Sequence, residues 1–246
     1  MNLPQFKKLF LEIQSEVPVR KAPQTTSAKS GTTIPSKFFT DPWAGEITSY
    51  DAVKYLEKYK EPLEKAGVKI SKTNVIGGGA QGQAVDIGNS VVKVTKDRME
   101  ANACYRIKGK KLKNVYNIYN VYELDNEHVY VIHQEKLEPL DKFVYQNWSR
   151  ISWAISDYSK HPEDKKILSK EYINYIENMY GDAPERKKKL LNVFQQMLNA
   201  IDELKQNRIR VADRHEENVL QRNDGTVVLI DLGLSKSPEI KIPKAE

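Results

Sequence analysis

The chain of 246 residues contains a single cysteine, Cys104, and has no apolar run of the roughly eighteen residues that a membrane span needs. One cysteine excludes an internal disulfide and a cysteine-based zinc cluster, and it favours a reducing compartment. The first residues, MNLPQFKKLFLEIQSEV, mix charged with apolar side chains, whereas a secretory signal has an uninterrupted apolar core. These features predict a cytoplasmic protein with no membrane partner.

The net charge of +6 lies mainly in the N-terminal part of the chain. Residues 1–72 carry 12 Lys and Arg against 8 Asp and Glu, whereas the rest carry 27 against 25. Solvated helix faces account for most of this excess, and an acidic partner for the N-terminal part is the alternative. The run Lys187-Lys188-Lys189 favours a solvent-exposed helix start over a nucleic-acid contact, so nucleic acid is not an expected partner.

Hydrophobic spacing divides the chain into three parts, and the first, residues 1–68, is predicted to be an N-terminal helical arm. Apolar residues three or four apart indicate an amphipathic helix over 3–17. Residues 18–45 are rich in Pro, Ser and Thr and lack an apolar period, which indicates a linker. A second helix is predicted over 49–66, where Pro62 either kinks it or splits it in two.

The second part, residues 69–137, is predicted to be a compact α+β lobe. Three short β-like runs, VKISKTNVIG, QAVDIG and SVVKVT, are separated by Gly and Asn-Ser turns, which indicates a meander of antiparallel strands. Two more strands, VYNIYNVYEL and HVYVIHQEKL, are predicted further along the chain. One helix, over about 96–109, interrupts them and places Cys104 among apolar neighbours as a buried thiol. The expected lobe therefore has five antiparallel strands and one inserted helix.

The third part, residues 138–246, is predicted to be a reduced helical lobe. Its helical pattern covers 140–207 and is clearest over 185–206, where apolar residues repeat at helical spacing. A short strand is predicted over 209–212. The hairpin VLQRNDGTVVLI follows, and its turn, Asn223-Asp224-Gly225, supplies residues that accept positive φ.

A glycine-rich turn lies between the first two predicted strands. Gly77, Gly79 and Gly82 fit the pattern Gly-x-Gly-x-x-Gly, but a strand and not a helix follows them. This context excludes a dinucleotide-binding fold, which needs a helix directly after the glycines. Two interpretations stay open: a plain hairpin, or a flap whose backbone N–H groups cover a polyphosphate.

Lys93 stands in the middle of the apolar strand SVVKVT, eleven residues after the last of these glycines. A lysine on the solvated face of an edge strand is the ordinary interpretation. The next strand after a glycine flap passes beneath it, however, so Lys93 is predicted to meet the α- and β-phosphates of a nucleotide. A carboxylate from the following helix must then hold the lysine, and Glu100 is the candidate.

The stretch VADRHEENVL sets Asp213 and Asn218 five residues apart, and Asp231 follows thirteen residues later, beyond the predicted hairpin. The hairpin returns the chain beside its start, which is expected to bring Asn218 and Asp231 together. Amide and carboxylate oxygens are hard ligands that suit Mg²⁺. Asp213 is then left to orient a hydroxyl nucleophile. Each residue alone is also a common turn former.

Over about residues 70–235 these features resemble the protein-kinase-like superfamily. The family spacing of a catalytic Asp, an Asn and an Asp-Phe-Gly motif is matched by Asp213, Asn218 and Asp231-Leu232-Gly233. The resemblance implies a bilobal fold that binds ATP with Mg²⁺, or with Mn²⁺ as an alternative. The roles it implies are a phosphate flap for Gly77, Gly79 and Gly82, a phosphate-binding lysine with its helix partner for Lys93 and Glu100, a catalytic base for Asp213, and metal ligation for Asn218 and Asp231. The residues it places around adenine are Ile76, Ala84, Val91, Leu220 and Ile230, with His133 to Lys136, including Gln134, as the connecting segment whose main chain reads the adenine edge.

The chain also departs from the family pattern. Val211-Ala212 replaces the usual His-Arg before the catalytic Asp, and His215 stands where protein Ser/Thr kinases often place a lysine near the γ-phosphate. Only thirteen residues follow Gly233, so an activation segment and the late helices of the helical lobe are not expected. Such a reduced kinase is similar to atypical protein kinases and to the small early-expressed Ser/Thr kinases of bacterial viruses, and in the latter case the host cytoplasm is the expected location.

The resemblance implies a phosphotransferase that carries the γ-phosphate of ATP to Ser or Thr hydroxyls of proteins. The hydroxyl-rich linker, residues 18–45, is a candidate autophosphorylation site or pseudosubstrate. A small-molecule kinase of the aminoglycoside or choline type is the first alternative, favoured by His215. A catalytically inactive kinase fold that acts as a binding module is the second. The sequence leaves the acceptor and the oligomeric state open.

Overall fold

The computed structural model describes residues 47–79, 82–124, 128–160, 165–180, 182–210, 216–232 and 240–245. All of them belong to one unit, Trp43–Glu246. The helix predicted over 3–17 and the linker over 18–45 lie outside the described residues. No helix in the described ranges is long and apolar enough to cross a membrane.

The main sheet has five strands in the order β1-β2-β3-β5-β4, and every neighbouring pair is antiparallel. The strands are β1 (Asn74–Gly79), β2 (Gly82–Asp86), β3 (Ser90–Thr95), β4 (Ile118–Leu124) and β5 (Val129–Glu135). Between β3 and β4 the chain forms one helix, Arg98–Ile107, which is α3 because two helices of the described residues precede the sheet. The predicted α+β class, with five antiparallel strands and one inserted helix, is confirmed.

Two short helices cover one face of this sheet. They are α1 (Ser49–Lys58) and α2 (Lys60–Lys65), so the single helix predicted over 49–66 is split, as one reading of Pro62 allowed. Thr48 caps α1: its side chain accepts from Asp51 N, and the Asp51 carboxylate accepts from Thr48 N in return.

The apolar residues of α1 and α2 share one core with the strands. The buried residues of this core include Leu56 and Leu63 from the helices and Val85, Val92, Val94, Val129 and Val131 from the sheet. Helices that bury their apolar face against the sheet belong to the same folding unit. The domain boundary expected after residue 68 therefore does not coincide with a break in packing.

The second face of the sheet packs on α3 and on the helical part of the chain. Side chains alternate along the strands, and an irregularity in β4 between Ile118 and Asn120 keeps Ile118 on the face of Val121 and Ile132, which points away from α1 and α2. They join a larger core with Cys104 and Ile107 of α3. The prediction of a buried Cys104 thiol is confirmed; its Sγ lies 3.0 Å from Tyr116 Oη.

The α-helices that the described residues form after the main sheet are α4 (Lys142–Gln146), α5 (Trp148–Lys160), α6 (Lys165–Met179) and α7 (Pro184–Gln206). The helix predicted over 185–206 is confirmed as α7. Pro184 stands in its first turn, where a missing N–H costs nothing. The apolar stripe of α7 is buried and consists of Leu190, Val193, Phe194, Met197, Leu198 and Leu204. This stripe ties the helical part to the core that reaches up to α3 and the main sheet.

A second, three-stranded antiparallel sheet consists of β6 (Glu138–Pro139), β7 (Val219–Gln221) and β8 (Val227–Leu229). The predicted hairpin is confirmed as β7 and β8. Within its turn only Gly225 has positive φ (+80°), so the expectation of positive φ at Asn223 and Asp224 is wrong. The Asp224 carboxylate instead accepts from Thr226 N at 2.8 Å and closes the turn.

Of the short strand predicted over 209–212, Ile209 is buried outside any strand, whereas Arg210 forms an isolated β-bridge. Residues 211–212 lie outside the described residues.

Candidate functional site

The side-chain ammonium of Lys93 lies between two carboxylates. Its Nζ is 2.6 Å from Glu100 Oε1 and 2.9 Å from Asp231 Oδ2. Strand β3, which carries Lys93, is paired on both sides, with β2 and with β5. The interpretation of Lys93 as a solvated residue on an edge strand is therefore wrong, and its side chain is only 16% exposed.

Glu100 reaches Lys93 because of how α3 begins. The carboxylate of the N-cap residue Asp97 accepts from Met99 N at 2.8 Å and from Glu100 N at 3.1 Å, which fixes the first turn directly after β3. Glu100 lies in that turn with its side chain turned toward the sheet, and it is 1% exposed. The structure thus brings together the lysine and the carboxylate that the sequence proposed as partners.

Asp231 follows β8 in a conformation that few non-glycine residues adopt. Its φ is +52°, in the left-handed region, where Asp and Asn are tolerated better than other residues but still at a cost of about 1–3 kcal/mol. The next residue, Leu232, is fully buried in the core and anchors the chain there. Backbone strain of this kind occurs most often at functional sites, and here it aims the carboxylate at Lys93.

Asn218 lies beside Asp231 through the pairing of the hairpin. It ends a short 3-10 helix, Glu216–Asn218, directly before β7, and its backbone oxygen accepts from Ile230 N at 2.9 Å. Asn218 is therefore opposite the residue that precedes Asp231. Its side chain is buried, and no hydrogen bond joins its amide to another described residue. The amide of Asn218 and the carboxylate of Asp231 offer the hard oxygen donors that Mg²⁺ prefers.

These two residues would supply only part of a metal's coordination sphere. Within the described residues there is no cluster of three or more His, Cys, Asp or Glu side chains arranged to hold a metal ion. A Mg²⁺ ion commonly binds through one or two carboxylates and completes its shell with water and substrate phosphates, so this donor set fits it. Asp213 and His215, the other residues expected here, lie outside the described residues, as does Gly233.

The charges of the site do not balance, because two carboxylates surround one ammonium. Burial raises the pKa of Glu100 to about 7, although the charge of Lys93 opposes that rise. Burial also works against the charged form of Lys93, but Glu100 and Asp231 outweigh it and raise the lysine pKa above its ordinary value. The cluster therefore retains protons at neutral pH, and a second cation beside Asp231 would relieve the excess negative charge.

The three glycines of the sequence motif lie in the β1–β2 hairpin, and its tip, residues 80–81, lies outside the described residues. A Cβ on Gly82 would stand 2.7 Å from the backbone oxygen of Val94, so close strand packing alone requires a glycine there. A Cβ on Gly77 would meet nothing within 4 Å. Gly79 closes the hairpin opposite Gly82. Gly77 thus faces open space in which a ligand could approach the backbone.

Several residues expected around a nucleotide base share one face of the main sheet with Lys93. Ala84 pairs directly with Lys93 across β2 and β3, and Val91 is two residues away on the same strand, so all three point to the same side. Val91 is buried and Ala84 half-buried. Leu220 and Ile230, both half-buried, belong to the hairpin that carries Asn218 and Asp231.

Ile76, the remaining apolar residue of this group, lies at an irregularity of β1 and is 53% exposed. An exposed isoleucine on the glycine hairpin is one of the few large apolar side chains that the described residues leave open to solvent. It could pack on a bound base.

The connecting segment differs from the expectation. His133, Gln134 and Glu135 belong to β5, where Glu135 pairs with Ser90 and Glu135 N donates to Asn117 O. The connection between the two sheets is therefore Lys136–Leu137, and assigning His133 to Glu135 to it was wrong, because β3 and the chain before β4 pair with these residues.

The side chain of Lys136 bonds Asp86 Oδ2 at 2.9 Å. Lys72 bonds the same oxygen at 2.8 Å, and these two ammonium groups hold the pKa of Asp86 well below its usual range. Lys136 therefore ties the connection between the sheets to the end of β2.

An ion pair that the sequence analysis missed joins the two sheets. Arg222, directly after β7, donates from Nε and Nη2 to the two carboxylate oxygens of Glu135 at 3.0 and 2.8 Å. It also donates to the backbone oxygens of Lys113 and Val115. The bidentate pair fixes the end of β5 against the hairpin that carries Asn218 and Asp231. The local sequence around Arg222 does not predict a partner 87 residues away.

No protein-family model matches this sequence, and a search of curated proteins finds no match. The structure itself defines an α+β protein with a five-stranded antiparallel sheet. On one face of that sheet a lysine is held between a helix carboxylate and a hairpin carboxylate.

Proposed function

We propose that this protein is an ATP- and Mg²⁺-dependent phosphotransferase with a reduced protein-kinase-like fold, and that it transfers the γ-phosphoryl group to Ser or Thr hydroxyls of proteins. One observation carries the proposal: Lys93 Nζ contacts both Glu100 and Asp231. These are the residues that the spacing of the sequence had assigned to phosphate binding, to orientation of the lysine and to metal ligation.

The local chemistry supports this assignment. Lys93 has a raised pKa, so it stays charged as a partner for phosphate oxygens at any physiological pH. Glu100 holds it from the inner side, and the fixed first turn of α3 limits where the ammonium can go. A cation that is fixed before the ligand arrives stabilises developing negative charge without reorganisation.

The residues that would hold a metal ion also support the proposal. Asn218 and Asp231 would hold Mg²⁺, or Mn²⁺ in its place, at the start and the exit of one hairpin. When bound, the ion neutralises charge on the phosphate oxygens. The glycine hairpin offers the open backbone at Gly77 on the same sheet. The base for the acceptor hydroxyl would be Asp213, as the spacing of the sequence predicts.

The architecture also supports a kinase-like arrangement. A five-stranded antiparallel sheet with one helix is joined by the short connection Lys136–Leu137 to a second part with four helices and a small sheet. The site residues come from both parts: Lys93 and Glu100 from the first, Asn218 and Asp231 from the second. A cleft between two such parts is a common place for a nucleotide.

The test is phosphoryl transfer from radiolabelled ATP with Mg²⁺. The acceptors are the protein itself, an unstructured Ser- and Thr-rich protein, an amino-sugar and choline. We expect label on protein, and a loss of at least about 100-fold in Lys93→Met and in Asp231→Asn. Lys187→Met is the matched control, because this lysine lies on α7 and pairs with Glu177 on the surface. Its activity should equal that of the wild type.

If only the amino-sugar or choline is labelled, the acceptor is a small molecule and not a protein hydroxyl. If none of the four acceptors is labelled, the proposed transfer activity is wrong and the inactive binding module takes its place. Mass spectrometry of the labelled chain tests residues 18–45 as the autophosphorylated segment.

A further inference from the structure

The side chain of Gln134 is buried without a complete set of hydrogen bonds. The residue is 9% exposed, and among the described residues no group donates a hydrogen bond to its enclosed Oε1 atom. An enclosed amide oxygen without a donor destabilises a folded protein, so such groups are rare and their retention calls for an explanation. A donor supplied by a ligand is one such explanation.

The position of Gln134 in the sheet shows where a ligand that supplies this donor would bind. Gln134 pairs with Val91 of β3 on one side and with Ile118 of β4 on the other. Residues opposite one another in a sheet share a face, and Lys93 lies two residues from Val91, so Gln134 is on the face of the candidate site. Both cross-strand neighbours are apolar and offer no side-chain donor. Lys93, the cation on that face, is engaged by Glu100 and Asp231.

The main chain of Gln134 is already used by the sheet. Strand β5 lies between β3 and β4, so the backbone groups of Gln134 face neighbouring strands. Recognition of a base edge by the main chain, as expected for the segment His133 to Lys136, cannot come from Gln134. The side-chain amide is the group on this residue that remains to contact a base.

We propose that Gln134 determines the base specificity of the nucleotide site, with Oε1 accepting a hydrogen bond from the 6-amino group of adenine. This inference rests on the proposed function. Val91 and Ala84, on the same face of the sheet, supply an apolar wall for the ring. A guanine ring presents an oxygen at that position, and two acceptors facing each other leave both groups unpaired. Polar groups that lose their partner in this way are the strongest source of discrimination between similar ligands.

The test compares three nucleotides by equilibrium binding in the presence of Mg²⁺: ATP, GTP, and purine riboside triphosphate, which lacks the 6-amino group. The variants are the wild type and Gln134→Met, which keeps the side-chain length and removes the acceptor. We expect the wild type to bind ATP at least about 10-fold more tightly than the analogue without the amino group, since a hydrogen bond to an otherwise unpaired acceptor has that value. Gln134→Met should bind the two within about twofold.

A second readout needs no nucleotide. Because Oε1 has no donor in the part of the chain that the structure describes, Gln134→Met removes an unpaired buried group and should raise the melting temperature by about 2–4 °C. Added Mg²⁺·ATP should then stabilise the wild type more than the variant. A variant that melts below the wild type would show that Gln134 has a donor within the protein and would overturn the inference.

The remaining outcomes separate the inference from the proposed function. Equal wild-type affinity for ATP and for the analogue, or a preference that survives in Gln134→Met, overturns the role of Gln134 and leaves the proposed function intact. A preference for GTP that Gln134→Met abolishes overturns the acceptor role, because the amide would then be donating. If the wild type binds none of the three nucleotides, the proposed function and the inference fail together.

Discussion

The ammonium nitrogen of Lys93 lies 2.9 Å from Asp231 Oδ2, although 138 residues separate the two in the sequence. This contact joins the central strand of the main sheet to the exit of the small hairpin. Glu100, seven residues after Lys93, completes the group at 2.6 Å. One cation between two carboxylates from different parts of the chain is the feature from which the proposed function is built.

The buried carboxyl of Glu100 should make stability depend on pH. Its pKa is about 7 in the folded protein against 4.5 in the unfolded chain, so between these values the folded state binds a proton that the unfolded state has released. Stability therefore falls as the pH rises from 4.5 to 7. Glu100→Gln removes this titrating group, so the free energy of unfolding of the variant should depend less on pH. The difference in unfolding free energy between the wild type and the variant should change by about 3 kcal/mol from pH 4.5 to pH 7.

Urea unfolding of the two proteins at pH 5, 6, 7 and 8 measures this difference, and groups that titrate in both proteins cancel from it. A difference that stays constant from pH 5 to pH 8 would contradict the raised pKa of Glu100.

The ion pair between Arg222 and Glu135 should be strongly coupled. Both side chains are largely buried and joined by two hydrogen bonds, so removing either partner leaves a buried charge unpaired. Arg222→Gln and Glu135→Gln should each destabilise the protein by about 2–4 kcal/mol. In urea unfolding, the double variant should lose less stability than the sum of the two single-variant losses, by at least about 1 kcal/mol. Strictly additive losses would show that the two residues act independently.

Two glycines of one motif should respond differently to alanine. Gly82→Ala places a methyl group 2.7 Å from Val94 O and should cost about 1–3 kcal/mol of stability. Gly77→Ala meets open space and should change the free energy of unfolding by less than about 0.5 kcal/mol. Nucleotide affinity should nevertheless fall in Gly77→Ala if the hairpin backbone covers the phosphates. Thermal unfolding and ATP titration of both variants separate the two effects, and the reverse pattern would contradict these packing assignments.

Residues 240–245 should protect the edge of the main sheet. Strand β4 is at that edge, and Glu123 N donates to Pro243 O while Ala245 N donates to Glu123 O. Ile242 is buried in the core beneath. Ile242→Ala should cost about 2–4 kcal/mol in urea unfolding. Removal of residues 240–246 should expose the edge and promote association, which light scattering detects. A truncated chain that stays monomeric and equally stable would refute this role.

The sequence predicts local structure well because local physics sets it. The alternation in SVVKVT fixes which face Lys93 occupies, and Asp97 as N-cap fixes where α3 starts, so the contact between Lys93 and Glu100 needs only seven residues of chain. The hairpin between Asn218 and Asp231 is likewise a local feature, and it brings together two residues that are thirteen positions apart.

What the sequence could not predict depends on pairing over long distances. The salt bridge of Arg222 to Glu135 and the addition of β6 to the hairpin join segments about eighty residues apart, and no period in the sequence encodes their register. The helices α1 and α2 read as part of a separate arm because an amphipathic pattern shows that a face is buried but not against what. The resemblance placed His133 to Glu135 in the connection, although the run HVYVIHQEKL already indicated a strand there, and the structure follows the local pattern.

The most direct measurement is the affinity for ATP with and without Mg²⁺, in the wild type and in Asp231→Asn. If Asp231 and Asn218 hold a metal that bridges to the phosphates beside Lys93, Mg²⁺ should tighten ATP binding to the wild type by at least about 10-fold and should have no effect in the variant. Absence of ATP binding by the wild type, or a gain from Mg²⁺ that Asp231→Asn retains in full, would contradict the assignment of this site.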